Sequence, residues 1–383
     1  MTALYSPALS RRTLIGGAAA LSLSACAPRR AHSLATTPSL PEPCRPLPPV
    51  IVERSRIIRQ AVGFRPYRPS GFVVREEKLP ALGARRLVHN YGHGGGGITL
   101  SWGSSRLATD IGLAGHKGPV AVIGAGALGL TTARLVQEAG FPVTLYTAAL
   151  PPETTSNIAG GEWHPAFAYD PDKIDDAFRA QIKAACRYSY ERFQTMIGAD
   201  YGVRWMHNHE MSNEEIKPEH IDTLIPDMLA RNRMLRRGEH PFPFRNVRSW
   251  DCPIVETPIF LRAMTRDLLI DGARFVIRKF ESVKQVGELD ERLIFNCTGL
   301  GARELFGDDE MEGWRGQLVM LLPQPEVTYA IHAPEITYMF SRSDAVILGG
   351  SADGTDSRTE IDPKTTDAIL DRHRAIFDNF RCT

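Results

Sequence analysis

The sequence predicts an α/β protein: a Rossmann-like dinucleotide-binding domain interleaved with a smaller domain built on an antiparallel sheet. Three stretches carry that expectation. Residues 119–148, PVAVIGAGALGLTTARLVQEAGFPVTLYTA, run as apolar strand, glycine turn, helix and second apolar strand, the order in which a parallel βαβ unit is written. Residues 293–301, LIFNCTGLG, form another short apolar strand ending in a tight turn. Residues 336–350, ITYMFSRSDAVILGG, read as a hairpin with Ser343 and Asp344 at its turn, which calls for antiparallel pairing as well.

Composition narrows the function classes. The chain has 383 residues, 43% of them hydrophobic, enough for one large or two ordinary domains. Lys+Arg 45 against Asp+Glu 44 leaves +1, so no basic nucleic-acid face is advertised. The six cysteines, Cys26, Cys44, Cys186, Cys252, Cys297 and Cys382, have no metal-like spacing, and neither a zinc site nor a disulfide framework is expected. No internal apolar run is long enough to span a bilayer.

The first 26 residues read as an export signal. Ser10-Arg11-Arg12-Thr13-Leu14-Ile15 resembles the twin-arginine pattern, residues 14–25 form a short apolar stretch, and Leu23-Ser24-Ala25-Cys26 resembles a bacterial lipobox. Acylation of Cys26 would make the mature protein a periplasmic, membrane-anchored lipoprotein. Its partners would include the twin-arginine export machinery, with the membrane met only through the lipid. Residues 27–49, rich in Pro, Ser and Thr, read as an extended tether; at ~3.1 Å per residue it could reach roughly 70 Å. The folded body is expected to begin at Val50-Ile51-Val52.

Two segments precede the dinucleotide fingerprint. In residues 62–74, VGFRPYRPSGFVV, Pro66 and Pro69 exclude helix and push Arg65 and Arg68 to extended geometry. Such a spacing points the two arginines to opposite faces, one toward a pocket and one toward solvent. Residues 89–103, HNYGHGGGGITLSWG, place five glycines among the six residues Gly92 to Gly97, ahead of a helix read over 100–113. A glycine run can be a plain linker. The density of His, Asn, Tyr and Trp beside it favours a segment whose backbone approaches a ligand, with N–H groups converging at a helix start.

In the fingerprint itself, Gly124, Gly126 and Gly129 stand at the spacing that lets a pyrophosphate sit on a helix N-terminus. The acid that would hold an adenosine ribose at the end of the second strand is missing; Tyr146-Thr147-Ala148-Ala149 occupies its place, which disfavours NAD. Residues 154–165, TTSNIAGGEWHP, are small and polar, suited to close contact with phosphate and ring, or to an ordinary turn. Polar helices are expected over 175–197 and 214–237, a helix over 259–269, strands over 274–280 and 316–321, and a last helix over 364–380. Cys297 reads as a small core residue in preference to a nucleophile, since no base neighbours it.

Together these motifs resemble the FAD-dependent D-amino-acid oxidase family: the fingerprint at Gly124, TTSNIAGGEW, the strand ending at Phe280, NCTG, Arg315-Gly316-Gln317, YMFSRSDAVILGG, GFRPYRP and HNYGHGGGGITLSWG. The likeness runs from about Arg56 to the end of the chain. In the family, the last two motifs close the chain; here they precede the fingerprint. The sequence therefore looks circularly permuted, cut between the 364–380 helix and the Ile57 strand and joined through residues 114–118. Original termini that lie close together make such a rearrangement physically reasonable.

The resemblance implies a glutathione-reductase-like FAD-binding domain over 50–170 and 251–310 and a substrate domain over 171–250 and 311–383. It implies Arg65 as the clamp on the substrate carboxylate, a planar fork giving two parallel N–H bonds. Tyr338 would share that carboxylate, and Gly95 would offer its carbonyl to the substrate amine. Gly94, Gly97, Ile98 and Thr99 would meet the flavin; Gly124, Gly126 and Gly129 the pyrophosphate; Leu128 the cofactor; Thr154, Thr155 and Gly161 the cofactor's approach; Phe280 and Thr298 the adenosine side. The family's second tyrosine would fall near Pro334 and is lost, with Tyr329 as a weak substitute. The implied reaction is oxidation of a D-amino acid to a 2-oxo acid, ammonia and hydrogen peroxide, by hydride transfer to flavin N5 with O2 as oxidant. The rivals are a glycine- or sarcosine-type amine oxidase, a flavin dehydrogenase on the same fold, and a lipid-tethered flavin-binding protein without turnover.

Overall fold

The computed structural model describes Cys44 and residues 46–382. The export signal, Cys26 and most of the tether lie outside the described residues. The chain runs β1 (Ile57–Tyr67), β2 (Val73–Glu77), β3 (Arg86–Tyr91), α1 (Gly97–Leu113), β4 (Val120–Ile123), α2 (Ala127–Glu138), β5 (Val143–Thr147) and α3 (Asp176–Gln194). It continues through β6 (Val203–Ser212), α4 (His220–Leu224), β7 (Ala230–Leu235), β8 (Asn246–Val255), α5 (Thr257–Ile270), β9 (Arg274–Ile277), α6 (Val283–Val286) and β10 (Leu293–Asn296). The last elements are α7 (Gly301–Phe306), β11 (Glu312–Leu321), β12 (Tyr329–Ala333), β13 (Thr337–Ser341), β14 (Val346–Gly349) and α8 (Pro363–Phe377). None of the described helices is long and apolar enough to cross a membrane.

Two sheets organise these elements. One has six strands in the order β2-β3-β10-β4-β5-β9, parallel throughout except for the β2–β3 edge. All four residues of β4 and of β10 are buried, as a parallel sheet covered on both faces requires. The other has eight strands, β1-β11-β14-β13-β12-β6-β8-β7, antiparallel except where β12 meets β6. One of its faces packs Val319, Leu321, Ile331, Met339 and Leu348 with Ile369, Leu370 and Phe377 of α8. Its other face carries Ala61, Met206, Ile254, Leu318, Ala330, Phe340 and Ile347 and meets Ile158.

The helix after the glycine stretch is buried along most of its length because its side chains are small. A Cβ at Gly103 would lie 1.8 Å from the Ala185 carbonyl oxygen of α3, so only glycine permits this crossing. Toward α2, the Ser105 hydroxyl meets those of Thr131 and Thr132 at 2.9 and 2.8 Å, and the Asn90 amide donates to Ser105 at 3.0 Å. Hydroxyls in a tight helix interface satisfy one another, which removes the cost of burying them.

Several expectations need correction. Residues 214–237 do not form one helix: Pro226 forces Ile225 out of helical geometry, α4 is only one turn, and 230–235 instead pair with β8 as an edge strand rich in arginine. The antiparallel sheet has eight strands against six in the parallel one. The ranges given to the domains also shift, because β1 and all of β8 pair in the antiparallel sheet. The cysteines are not all free: Cys44 is disulfide-bonded to Cys382. The end of the tether is likewise held, with the Tyr329 hydroxyl donating to Pro48 O at 2.8 Å and Leu47 packed on the α8 core.

Replacing Gly103 by alanine is expected to force α1 and α3 apart and to destabilise the protein by about 1–3 kcal/mol. A lower denaturation midpoint in urea, with an unchanged slope, is the measurement; an unchanged midpoint would refute the close crossing.

Candidate active site

The site is assembled where the glycine segments of the parallel sheet face the open side of the antiparallel one. At the end of β4, Gly124 has φ +110°, and a Cβ there would come within 2.4 Å of Cys297 O. Gly129 sits one helical turn on, where a Cβ would meet Gly124 O at 1.9 Å, so the helix can lie against the strand end only without a side chain. Gly126 precedes α2 as its N-cap, and Ser156 Oγ accepts from Ala127 N at 3.0 Å. Gly124, Gly126 and Leu128 stay partly exposed while Ala125, Ala127, Gly129 and Leu130 between and after them are buried. Backbone N–H groups at a helix start with an open face are a ready anion site. The cradle therefore fits a dinucleotide pyrophosphate.

The other cofactor candidates fall around the same opening. Gly97 lies beside Leu128, with its built Cβ 3.8 Å from Leu128 Cδ2. Gly95 is exposed, whereas Gly94, at φ +53°, is buried against Phe167 O. Ile98 and Thr99 are buried, and the Thr99 hydroxyl donates to Glu162 O and His164 O at 3.2 and 3.3 Å, tying α1 to the TTSNIAGGEW segment. Gly161, at φ +96°, accepts from Val255 N at 2.7 Å. Thr154 bonds the Asn157 side chain at 2.9 Å, and Thr155 opens a single 3₁₀ turn. Thr298 Oγ1 donates to Asn296 Oδ1 at 2.7 Å beside Gly124. Phe280 belongs to the core with Tyr146 and Ile294, beneath the Arg278 guanidinium. Cys297 is buried, and burial pushes its thiol up to about 12, so it is no thiolate nucleophile.

On the sheet side, the pairing of β1 with β11 sets Gly63 opposite Gly316 and Arg65 opposite Trp314. A Cβ at Gly316 would lie 2.5 Å from Arg65 Nη1, and one at Gly349 would lie 2.0 Å from Tyr338 Cζ. The two glycines make room for the guanidinium and the phenol ring, and Arg65 Nη2 donates to Tyr338 Oη at 3.3 Å. Among the described residues Arg65 forms no ion pair. Arg68, three positions on, differs from its expected solvent-facing role: it pairs with Asp308 at 2.8 Å and Glu310 at 2.6 Å, its side chain only 15% exposed. An arginine left half-buried without a carboxylate is a binding group in search of an anion.

Alternation along β12 excludes Tyr329 as a replacement for the missing lid tyrosine. Tyr329 and Ile331 point into the α8 core, and Ala330 and His332 face the site. His332 is the residue that sequence reasoning missed. It is the cross-strand partner of Tyr338, and its Nε2 meets Glu162 Oε1 at 2.9 Å. Behind it, His164 Nε2 meets Asp222 Oδ1 at 2.8 Å, and Arg248 Nη1 donates to Asp222 Oδ2 at 2.6 Å. Burial opposes charging every one of these groups. The mutual attraction outweighs it, holding His332 and His164 above and Glu162 and Asp222 below their ordinary values. A signal existed in Glu162 and His164 standing at i and i+2, but their partners are some 60 to 170 residues away.

The fold and the glycine turn thus define a dinucleotide-binding protein, with Arg65 and Tyr338 in contact on its antiparallel sheet. Comparison with known proteins agrees: the chain belongs to the family described as FAD dependent oxidoreductase, matched over residues 3–111 and 119–382, and its cofactor is FAD. A D-amino-acid oxidase of Streptomyces coelicolor is 30% identical over 266 residues, 68% of this chain and 78% of the relative. The human D-aspartate oxidase is 25% identical over 263 residues, 67% of this chain and 75% of that one. Among solved structures, glycine oxidase from Geobacillus kaustophilus superposes with a TM-score of 0.52 at 15% identity, over 69% of this chain and 79% of the other, a likeness of fold.

The pairs predict a pH window. The raised histidines contribute stability fully below their ordinary 6.5 and lose it as pH climbs through the folded values; the lowered Glu162 contributes above its ordinary 4.5 and loses it as pH falls. The stability gap between wild type and His332→Asn is therefore expected to be widest between those limits and to shrink on both sides. Melting curves across pH check this, and a pH-independent gap would contradict it.

Proposed function

We propose that the chain oxidises D-amino acids to 2-oxo acids and ammonia, with O2 reduced to hydrogen peroxide. The observation that carries this reading is Arg65, half-buried, unpaired among the described residues and bonded to Tyr338 at 3.3 Å, on the strand whose Tyr67 packs beside Gly94. The relatives named D-amino-acid oxidase support it. FAD, when bound, supplies the two-electron acceptor for the hydride leaving the substrate's α-carbon.

This chain's residues do the rest. Gly124, Gly126 and Gly129 hold the pyrophosphate at the N-terminus of α2, and Gly97 and Leu128 border the ring. Arg65 grips the substrate carboxylate with two N–H groups while Tyr338 donates its hydroxyl, which leaves the α-carbon one fixed orientation. The exposed carbonyl of Gly95 accepts from the amine and keeps it on the same side. The imidazole of His332 is engaged by Glu162, so no general base is assigned to it. Arg65→Leu is expected to raise KM by on the order of 3 kcal/mol, more than a hundredfold, with a smaller change in kcat. An unchanged KM in a peroxide assay with D-alanine would remove the assignment; turnover of sarcosine in preference would favour a secondary-amine oxidase.

We also propose the permuted order. The family motifs GFRPYRP and HNYGHGGGG precede the fingerprint, and the family match is interrupted at 112–118. Arg374 donates to Val52 O at 2.9 Å, so the segment before β1 lies on α8, where the ancestral connection would run. Export to an oxidising compartment is supported by the Cys44–Cys382 disulfide alongside the leader motifs. A mature protein whose N-terminal peptide carries diacylglycerol on Cys26 is the expected mass-spectrometric result; an unprocessed Met1 terminus in purified membranes would refute it.

A further inference from the structure

On the reading of Arg65 and Tyr338 as a carboxylate clamp, we propose that His332, Glu162 and Glu210 line the groove that receives the substrate's side chain, and that this groove selects cationic, lysine- or arginine-like side chains over acidic ones. The sheet sets these groups in one row. Gly349 pairs with Tyr338, Tyr338 with His332, His332 with Glu210, and Glu210 with Arg248, one residue per strand across β14, β13, β12, β6 and β8. Neighbouring strands lie about 4.8 Å apart, which puts His332 about one and Glu210 about two such steps beyond Tyr338. An extended lysine side chain reaches about 6 Å from its Cα, within that span.

The row has one polar direction. Toward β11, the spaces above Gly349 and Gly316 are filled by the Tyr338 ring and the Arg65 guanidinium. Along β13 the next same-face residue is Phe340, pressed against Gly160. Toward β6 the surface turns ionic. His332 and Glu210 are the most open members, each side chain 28% exposed, against 9% for Glu162 and 5% for Asp222.

Charge decides which ligand fits. The groove holds three carboxylates, Glu162, Glu210 and Asp222, with Glu219 a fourth at the start of α4. Among the described residues, the arginine paired with these carboxylates, Arg248, is committed: it donates to Asp222 at 2.6 Å and lies over the Trp250 ring. Its contact with Glu210 is long, 3.4 Å, and no other acceptor bond to that carboxylate is present among the described residues. Even with His164 and His332 both protonated, cations do not outnumber carboxylates, and with both neutral the groove is strongly negative. An ammonium gains Glu210 as a partner in either state, whereas a second carboxylate meets repulsion in either. Among the described residues no trio of side chains is placed to hold a metal, so the acids are not spoken for in that way.

Three ligands of one length test this on the FAD-loaded protein, read by the perturbation of the flavin spectrum on titration. The 6-aminohexanoate ion is lysine without its α-amine; hexanoate lacks the charge, and adipate reverses it. The expected order of affinity is 6-aminohexanoate, hexanoate, adipate, with about tenfold or more between the first and last. Glu210→Gln should shrink the preference for 6-aminohexanoate over hexanoate severalfold. Adipate binding as tightly as 6-aminohexanoate, a preference unmoved by Glu210→Gln, or no response to any of the three would each overturn the inference. If Glu210→Gln fails to fold, the wild-type order alone decides. D-Lysine, added without oxygen, separates the two claims: failure to bleach the flavin while the ligand order holds would remove the proposed reaction and leave the groove's charge preference in place.

Discussion

An unpaired arginine in a half-buried setting is expensive unless something holds it ready for an anion, and the pairing of β1 with β11 does so here. Nine consecutive residues of β1, Arg59 to Tyr67, find partners on β11 across the edge of the eight-stranded sheet. That register places Arg65 over Gly316 and within reach of Tyr338 two strands further in. A slip by one residue would turn Arg65 to the opposite face of the sheet, away from Tyr338. The Arg65–Tyr338 contact therefore exists only in one register, and the apolar residues on both faces of the sheet hold that register in place.

One stretch joins the parallel-sheet half to this sheet at several points. Residues 158–162 touch both halves: Ile158 packs over Gly63, Gly160 against Phe340, Gly161 bonds Val255, and Glu162 takes Thr99 on its carbonyl and His332 on its side chain. Small residues allow the backbone to pass between a ring and a sheet, and Glu162 then joins the two by charge. The ionic groups behind it are buried as pairs, since each alone would cost more than it returns. Such a network fixes geometry more than it adds stability.

Much of this was legible in the chain. The strand–glycine–helix–strand unit, the 336–350 hairpin, the helix after the glycines and the terminal helix all came out where their periodicities put them, because each is governed by contacts within a few residues. Within the glycine stretch of residues 92–97 the detail was not legible: Gly95 is open, and Gly94 is packed on Phe167. What failed was non-local. The helix read over 214–237 gave way to an edge strand because β8 offered hydrogen bonds and Pro226 withdrew them. Tyr329 was a candidate by type and excluded by the parity of its strand. Cys44 and Cys382 are 338 residues apart, a separation at which spacing carries no information.

Sequence alone determined the dinucleotide-binding unit and the cofactor class, since glycine spacing encodes backbone shape locally. Only the tertiary structure decided which sheet β1 would join, that Arg68 is neutralised while Arg65 is not, and that His332 stands beside Tyr338 with Glu162 and Glu210 around it. Those outcomes rest on strand register between segments far apart in the chain. Register is chosen by the sum of many buried contacts, not by any residue that can be read singly.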